Sequence, residues 1–228
     1  NMIGRLLYNK QWSKLSIYES LMPSKMNLAG MYNNYARELS AGEQLDSNGS
    51  DINIAKMLSK KSLDYATELI KQAGNPDEND GNLQRAYDKY ADTYALILYK
   101  LGKYDSAFFY QHAIYKQANN LNPADIERYV VYAEKAKGAK FAYQIIVNQL
   151  LNGVSSPVMI DQLKRLAKES GIPDSAYSSL SDKAAKLASK KSADKIKKLF
   201  GTVKSKNFVL KNLKGRTAGS RSEERRVG

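Results

Sequence analysis

The chain has 228 residues, of which 43% are hydrophobic and none is cysteine; this composition excludes an intrinsically disordered protein, disulfide bonds and thiolate chemistry. No apolar run approaches the roughly 18 residues of a membrane-spanning helix. The net charge of +13 is local, because residues 1–182 hold 21 basic against 20 acidic side chains, whereas residues 183–214 hold 11 Lys against one acid. A duplex nucleic-acid binder usually spreads basic residues over a folded face, so we predict no nucleic-acid partner.

Apolar residues at helical spacing dominate the chain from its first residues. Residues 1–8 resemble the end of a helix whose beginning is missing, and we expect no signal segment within the chain. A short helix is predicted within Trp12–Pro23 and a second one over Leu28–Leu39. A third helix is predicted to be capped by Asp51 and to reach Ala73. A longer loop is predicted at 74–81.

Six further helices are predicted beyond residue 81, each bounded by Gly, Asn or Pro. Their apolar faces cover Leu83–Leu101, Tyr104–Ala118, Ile126–Ala136, Phe141–Leu150 and Met159–Ala167, and the last helix runs from Pro173 as far as Phe200. Three of the bounding glycines are regularly spaced, since Gly102 to Gly138 is 36 residues and Gly138 to Gly171 is 33. This is the period of a solenoid built from helix–turn–helix units.

The segment Leu101–Ala107 resembles the turn and the second-helix start of a tetratricopeptide repeat, and Ala95 stands where the first helix of such a repeat has a small residue. The first-helix Trp position holds Ala91, and Asn119 stands where a repeat would end in Pro. The resemblance implies an all-α fold. It implies a right-handed tetratricopeptide-like array of three to four helical hairpins over residues 1–201, followed by a short extended C-terminal segment.

Sixteen tyrosines are present, and several of them lie within one predicted helix pair. Tyr87, Tyr90, Tyr94 and Tyr110 are the candidate partner-binding residues, because an aromatic groove suits a peptide or a glycan. The alternative is that these rings fill the space between helices while their hydroxyl groups reach water. We favour this packing role.

No residue is predicted to be catalytic, to bind a cofactor or to bind a metal. His112 is the only histidine, and we expect it to have a packing role because no second His or Cys can complete a metal site or a triad with it. The Asp-rich segments at 46–51 and 77–81 lack the spacing of a calcium-binding EF-hand, so we interpret both as loops. The lysines of residues 183–198 are interpreted as the outer face of a linker helix, with attraction to acidic lipid or nucleic acid as the alternative.

The segment Ser205–Gly215 resembles the opening strand and turn of a thioredoxin-like (redoxin) domain. That family often begins with a Phe-x-Leu-x-(Asp/Asn)-Leu-x-Gly pattern, which is matched here from Phe208 to Gly215. In members from the bacterial cell envelope, a helical region can precede this strand. The resemblance therefore implies a linker and first strand at 202–215 and a location in the cell envelope or periplasm. The redox motif Trp-Cys-x-x-Cys would lie further along and does not occur in this chain.

Residues 216–228 are predicted to be a disordered, non-native tail. The segment Arg221–Gly228 resembles translated sequencing-adapter read-through. We therefore expect the natural continuation after about Gly215 to be replaced.

The two resemblances together imply the helical scaffold of a truncated thioredoxin-like thiol–disulfide oxidoreductase, which would hold a protein or peptide partner. The chain itself would be inactive, because thiol–disulfide exchange needs a cysteine thiolate. The alternative is a stand-alone tetratricopeptide-like module for protein–protein interaction. A third hypothesis, a basic adaptor for nucleic acid or an anionic membrane, depends only on the Lys-rich segment.

Overall fold

The computed structural model describes residues 2–73, 80–117, 122–200, 209–211 and 217–219, and this part of the chain is all-α apart from one short hairpin. The helices are α1 (Met2–Tyr8), α2 (Leu15–Glu19), α3 (Lys25–Leu39), α4 (Ile52–Ala73), α5 (Asp80–Lys100), α6 (Tyr104–Gln117), α7 (Pro123–Lys137), α8 (Ala139–Leu151), α9 (Pro157–Glu169) and α10 (Asp174–Phe200). A 3₁₀ turn at Trp12–Lys14 precedes α2. The prediction of an all-α fold is confirmed.

Side-chain caps fix where several helices begin. The carboxylate of Asp51 accepts a hydrogen bond from the backbone N–H of Ile54 at 3.0 Å, as predicted for the start of α4. The side chain of Asn122 accepts one from the N–H of Asp125 at 3.0 Å, and Pro123 occupies the first turn of α7. Such a cap contributes about 1 kcal/mol because it satisfies an N–H group that has no partner within the helix.

Two predicted boundaries differ in the structure. Helix α5 begins at Asp80, inside the loop predicted at 74–81, so that Asp80 and Gly81 belong to the helix and not to the loop. The rest of that loop, 74–79, lies outside the described residues, as does Ala118 at the predicted end of α6.

The helices pack in chain order. Each helix from α3 to α9 packs against the next one, and α10 lies against both α8 and α9. Helix α3 also contacts α5, and α7 contacts α9. When contacts join mainly sequence neighbours, stability comes from the interface of each unit with the adjacent one.

Three apolar clusters follow one another along this stack. The N-terminal cluster joins α1 to α5 around the fully buried Tyr32 and Leu58, and Trp12 packs at its edge with its ring centroid 5.8 Å from that of Tyr35. The central cluster joins α3 to α7 around Ala95. The C-terminal cluster joins α6 to α9 around Ile146.

A carboxylate on α2 ties the first helices together. Glu19 accepts hydrogen bonds from the hydroxyl of Tyr32 at 2.8 Å, from the hydroxyl of Tyr65 at 2.9 Å and from the ammonium group of Lys61. Burial acts to raise the pKa of Glu19, but these three hydrogen bonds together hold it below the ordinary value of 4.5. Burial and the bond to Glu19 raise the pKa of Tyr65 to about 12.

The predicted strand after the helices has a partner that the sequence analysis did not predict. Strand β1 (Val209–Lys211) pairs antiparallel with β2 (Thr217–Gly219), and Leu210 lies opposite Ala218. The residues between the two strands, 212–216, lie outside the described part of the chain. Strand β2 falls within the segment for which disorder was predicted.

Two glycines with left-handed backbone conformations offer a matched test of the turns. Gly49 has φ +68° and an added Cβ would lie 2.1 Å from the backbone oxygen of Leu39, whereas Gly102 has φ +72° and open space around the same position. We expect Gly102→Ala to lower the free energy of unfolding by about 1–2 kcal/mol through backbone strain alone. Gly49→Ala is expected to cost more, because the clash is added to the strain. Urea denaturation measures the free energy of unfolding of both variants, and equal losses would contradict the predicted clash at Gly49.

The Glu19 interactions predict a pH dependence of stability. Glu19→Gln is expected to lower the free energy of unfolding at pH 7 by about 1–3 kcal/mol, since it weakens the bonds to two tyrosine hydroxyl groups and removes the charge opposite Lys61. A depressed carboxyl pKa stabilises the fold above the ordinary value and loses that contribution as the pH falls through the folded-state value. The difference between wild type and variant should therefore shrink below about pH 4.5.

The control for this experiment is the same substitution at Glu38, which is exposed on α3. Glu38→Gln is expected to change the free energy of unfolding by no more than about 0.5 kcal/mol. A difference between wild type and Glu19→Gln that stays constant from pH 7 to pH 3 would contradict the assigned role of the Glu19 carboxylate.

Candidate partner-binding site

The four candidate tyrosines come together in the central cluster, but they differ in exposure. Tyr90 and Tyr94 of α5 are 5% and 8% exposed and belong to the core. Tyr87 of α5 and Tyr110 of α6 are half-buried at the edge of the same cluster. The ring of Tyr94 meets that of Tyr110 edge-on, with centroids 5.2 Å apart. The rings therefore join α5 to α6, and only the edge pair offers surface to a partner.

The hydroxyl groups of the candidate tyrosines have different surroundings. The hydroxyl of Tyr90 donates to the sulfur of Met26 at 3.7 Å, a contact within the protein rather than with water. The pKa of Tyr87 is raised by burial and by the nearby Tyr110 hydroxyl. The packing role that we favoured fits Tyr90 and Tyr94. The expectation that the hydroxyl group reaches water does not fit Tyr90, whose hydroxyl contacts Met26.

An exposed aromatic ring adjoins Tyr110. The neighbouring Phe109 is 68% exposed, and its ring packs edge-on against Tyr110 with centroids 5.4 Å apart. On α4, Lys60 pairs with Asp64, and this bond raises the pKa of the lysine, to which the Tyr110 and Tyr94 hydroxyl groups also contribute. Tyr110 thus contacts an exposed aromatic ring and interacts electrostatically with Lys60.

His112 belongs to a stack of aromatic rings between α6 and α7. Its ring lies parallel to those of Phe108 and Tyr129, with centroids 5.1 and 5.8 Å away, and its Nδ1 bonds the Tyr129 hydroxyl. The ring of Tyr115 also stacks on that of Tyr129, with centroids 4.2 Å apart. Burial, with a smaller effect of Lys116, lowers the pKa of His112. These contacts agree with the predicted packing role.

A second set of polar side chains lies where α5, α6 and α7 meet the segment after α3, and the sequence analysis missed it. The members of this Asp92 cluster are Arg37, Glu43, Asp92, Gln111, Asp125, Arg128 and Tyr132. The guanidinium of Arg128, only 15% exposed, lies 3.1 Å from Asp92, 3.5 Å from Asp125 and 3.8 Å from Glu43. One cation is thus shared among three carboxylates on different segments.

One signal in the sequence does point to this cluster. Asp92 is the only charged residue in the stretch Tyr90–Tyr99, whose spacing predicts an apolar helix face, and its neighbours Ala91 and Thr93 are buried in the structure. A charged residue on a buried face needs a partner. The partner, Arg128, lies on another helix 36 residues away, and helical periodicity carries no information on such a pairing.

The Lys-rich segment forms most of α10. Lys183, Lys186 and Lys190 are exposed, as expected for a solvated face. Within the described residues, no helix is both long and apolar enough to cross a membrane. In the same part of the chain, no group of three or more His, Cys, Asp or Glu side chains is arranged to hold a metal ion.

Comparisons with protein-family models, with curated proteins and with solved structures find no match to this chain.

The different burial of the aromatic residues predicts different effects of their removal. Tyr90→Ala should lower the free energy of unfolding by about 3–5 kcal/mol, because it opens a cavity in the central cluster. Phe109→Ala, which removes a ring of similar size from an exposed position, should change it by no more than about 0.5 kcal/mol. Urea or thermal denaturation compares the two, and losses of equal size would contradict the assignment of Tyr90 to the core.

Proposed function

We propose that this chain is the helical scaffold of a thioredoxin-like thiol–disulfide oxidoreductase and that it holds a protein or peptide partner for the redox domain. The observation that carries the proposal is the strand β1, which follows the stacked helices and lies within the Phe-x-Leu-x-Asn-Leu-x-Gly sequence pattern of residues 208–215. A location in the bacterial cell envelope is part of the same proposal.

The scaffold role is supported by the way the helices stack. A tetratricopeptide-like array with right-handed turns is the arrangement we propose for α3 to α10, since each helix packs on its sequence neighbour and next-but-one contacts join α3 to α5 and α7 to α9. Such arrays present extended surfaces built from successive units, which suit extended or helical peptide segments. The exposed ring of Phe109 and the half-buried ring of Tyr110 are the aromatic part of this surface.

The first test is the natural reading frame beyond Gly215. We expect a Trp-Cys-x-x-Cys motif roughly 25–40 residues further on, because the redox function needs a cysteine pair with a lowered thiol pKa. The protein made from that frame should reduce both a small aromatic disulfide and a protein disulfide. Deletion of residues 1–201 should slow only the reduction of the protein substrate, because a scaffold acts on partner binding. An equal effect on both substrates would contradict the scaffold role.

The 228-residue chain, which lacks cysteine, provides the negative control. It should show no disulfide reductase activity, and measurable activity would contradict the proposed chemistry.

A stop codon near Gly215 in the natural frame would instead favour the second candidate, a stand-alone tetratricopeptide-like interaction module. The exposed aromatic surface at Phe109 is compatible with either candidate.

A further inference from the structure

The sequence contains two Asn-Gly pairs, Asn48-Gly49 and Asn152-Gly153, and the structure places them in different surroundings. In such a pair, the main-chain nitrogen of the glycine can attack the side-chain amide of the asparagine. Glycine favours this attack because it has no Cβ, so that no side chain shields its nitrogen and its backbone turns easily into the required geometry. Whether the attack occurs depends on how firmly the fold holds that nitrogen.

The first pair lies in the segment between α3 and α4 and is held loosely. Asn48 and Gly49 are both exposed, and neither belongs to a helix or a strand. The N–H of Gly49 donates to the hydroxyl oxygen of Ser47 at 3.3 Å, which is longer than an ordinary N–H···O hydrogen bond. Because this acceptor belongs to the same segment, the bond can open without disturbing either helix.

The second pair ends α8 and is held firmly. The N–H of Asn152 donates to the carbonyl oxygen of Asn148 at 3.1 Å. The N–H of Gly153 donates to the carbonyl oxygen of Leu150 at 2.9 Å, which is an ordinary hydrogen-bond length. The nitrogen of Gly153 is therefore part of the hydrogen-bonded end of a helix, and its attack on a side chain requires that end to open.

We propose that Asn48 is a site of spontaneous deamidation in the folded protein, with water as the co-reactant. The nitrogen of Gly49 attacks Cγ of Asn48, so that an N–Cγ bond forms and the Cγ–Nδ2 bond breaks. The Gly49 proton leaves with the side-chain nitrogen as ammonia, and a cyclic imide remains. Water then opens the imide at one of its two carbonyl carbons. Opening at Cγ gives aspartate, and opening at the main-chain carbonyl gives isoaspartate.

The isoaspartate product changes the connection between α3 and α4. It adds one methylene group to the main chain directly before Gly49, where an added Cβ would already lie 2.1 Å from the backbone oxygen of Leu39. The same oxygen accepts the N–H of Ser50 at 2.9 Å and that of Asp51 at 3.3 Å, and the Asp51 side chain caps α4. A longer main chain at this place displaces these contacts, so we expect the modified protein to unfold more easily.

The first test compares the two pairs in the complete 228-residue chain at neutral pH and physiological temperature. Trypsin releases them in separate peptides, 38–56 and 141–164, and mass spectrometry follows the conversion of each amide to an acid. Asn48 should be converted at least about tenfold faster than Asn152, because the Asn152 reaction must first break an ordinary backbone hydrogen bond. Equal rates, or faster conversion of Asn152, would overturn the proposal.

The same measurement in guanidinium chloride shows whether the fold causes the difference. In the denatured chain the two rates should agree within about threefold, since both pairs are then free of helix contacts. A tenfold difference that persists after denaturation would overturn the structural explanation. An Asn48 that stays intact in the folded chain while it is converted in the denatured one would overturn the proposed site.

A substitution tests the chemistry at this position. Asn48→Gln keeps the amide but moves its carbonyl carbon one methylene group further away, so conversion at residue 48 should be slower by at least about tenfold. The matched control is Asn53→Gln in the same tryptic peptide, where the asparagine is exposed on α4 and is followed by Ile54. This control should leave the rate at Asn48 unchanged within about twofold. Equal effects of the two substitutions would overturn the proposal.

The consequence for the fold has its own control. Asn48→Asp has the charge of the deamidated protein and a normal main chain, so its denaturation midpoint in urea should equal that of the fresh wild type. A wild-type sample aged until isoaspartate predominates at residue 48 should unfold at a lower urea concentration than either. An aged sample as stable as Asn48→Asp would overturn the proposed effect on the connection between α3 and α4.

Discussion

The constraint on which the fold depends is that most helices of the stack carry apolar surface on two sides, so that such a helix cannot bury all of this surface against a single neighbour. Adjacent residues show this directly: Ala107 lies in the central cluster and Phe108 in the C-terminal one, and the same division separates Tyr132 from Ala133. A helix removed from the middle would expose two clusters at once. Burial of apolar surface, at about 25 cal/mol per Å², therefore couples each helix to both neighbours.

Two half-buried carboxylates within this apolar stack have contrasting surroundings. Glu19 receives an ammonium group and two tyrosine hydroxyl groups, so that its charge is compensated where it lies. Asp92 shares one guanidinium with two other carboxylates. A fully satisfied polar group stabilises a fold, whereas an incompletely satisfied one is costly to it.

Helical periodicity and local capping were sufficient to predict most of the helices. Asp51 and Asn122 act over three residues, and each caps the helix that the sequence indicates. Pairings between distant segments could not be predicted in this way, because they depend on packing. The contact of Arg128 with Asp92 spans 36 residues, and the pairing of Leu210 with Ala218 involves a Thr-Ala-Gly segment that has no alternating pattern. The prediction for the four tyrosines had the same limit. Periodicity placed them in one helix pair, but it could not predict which of them are buried and which are partly exposed.

The position of the single tryptophan has a consequence for observing this chain in solution. Trp12 packs against Tyr35 at the edge of the N-terminal cluster, while the stacked rings of Tyr115, Tyr129 and Phe108 lie in the C-terminal one. Tryptophan fluorescence therefore reports the state of one end of the stack, and near-ultraviolet circular dichroism of the tyrosines reports largely on the rest. The chain thus carries two optical probes at separate places. If both signals change in the same denaturation transition, the stack unfolds as one cooperative unit, whereas separate transitions indicate that it unfolds from one end.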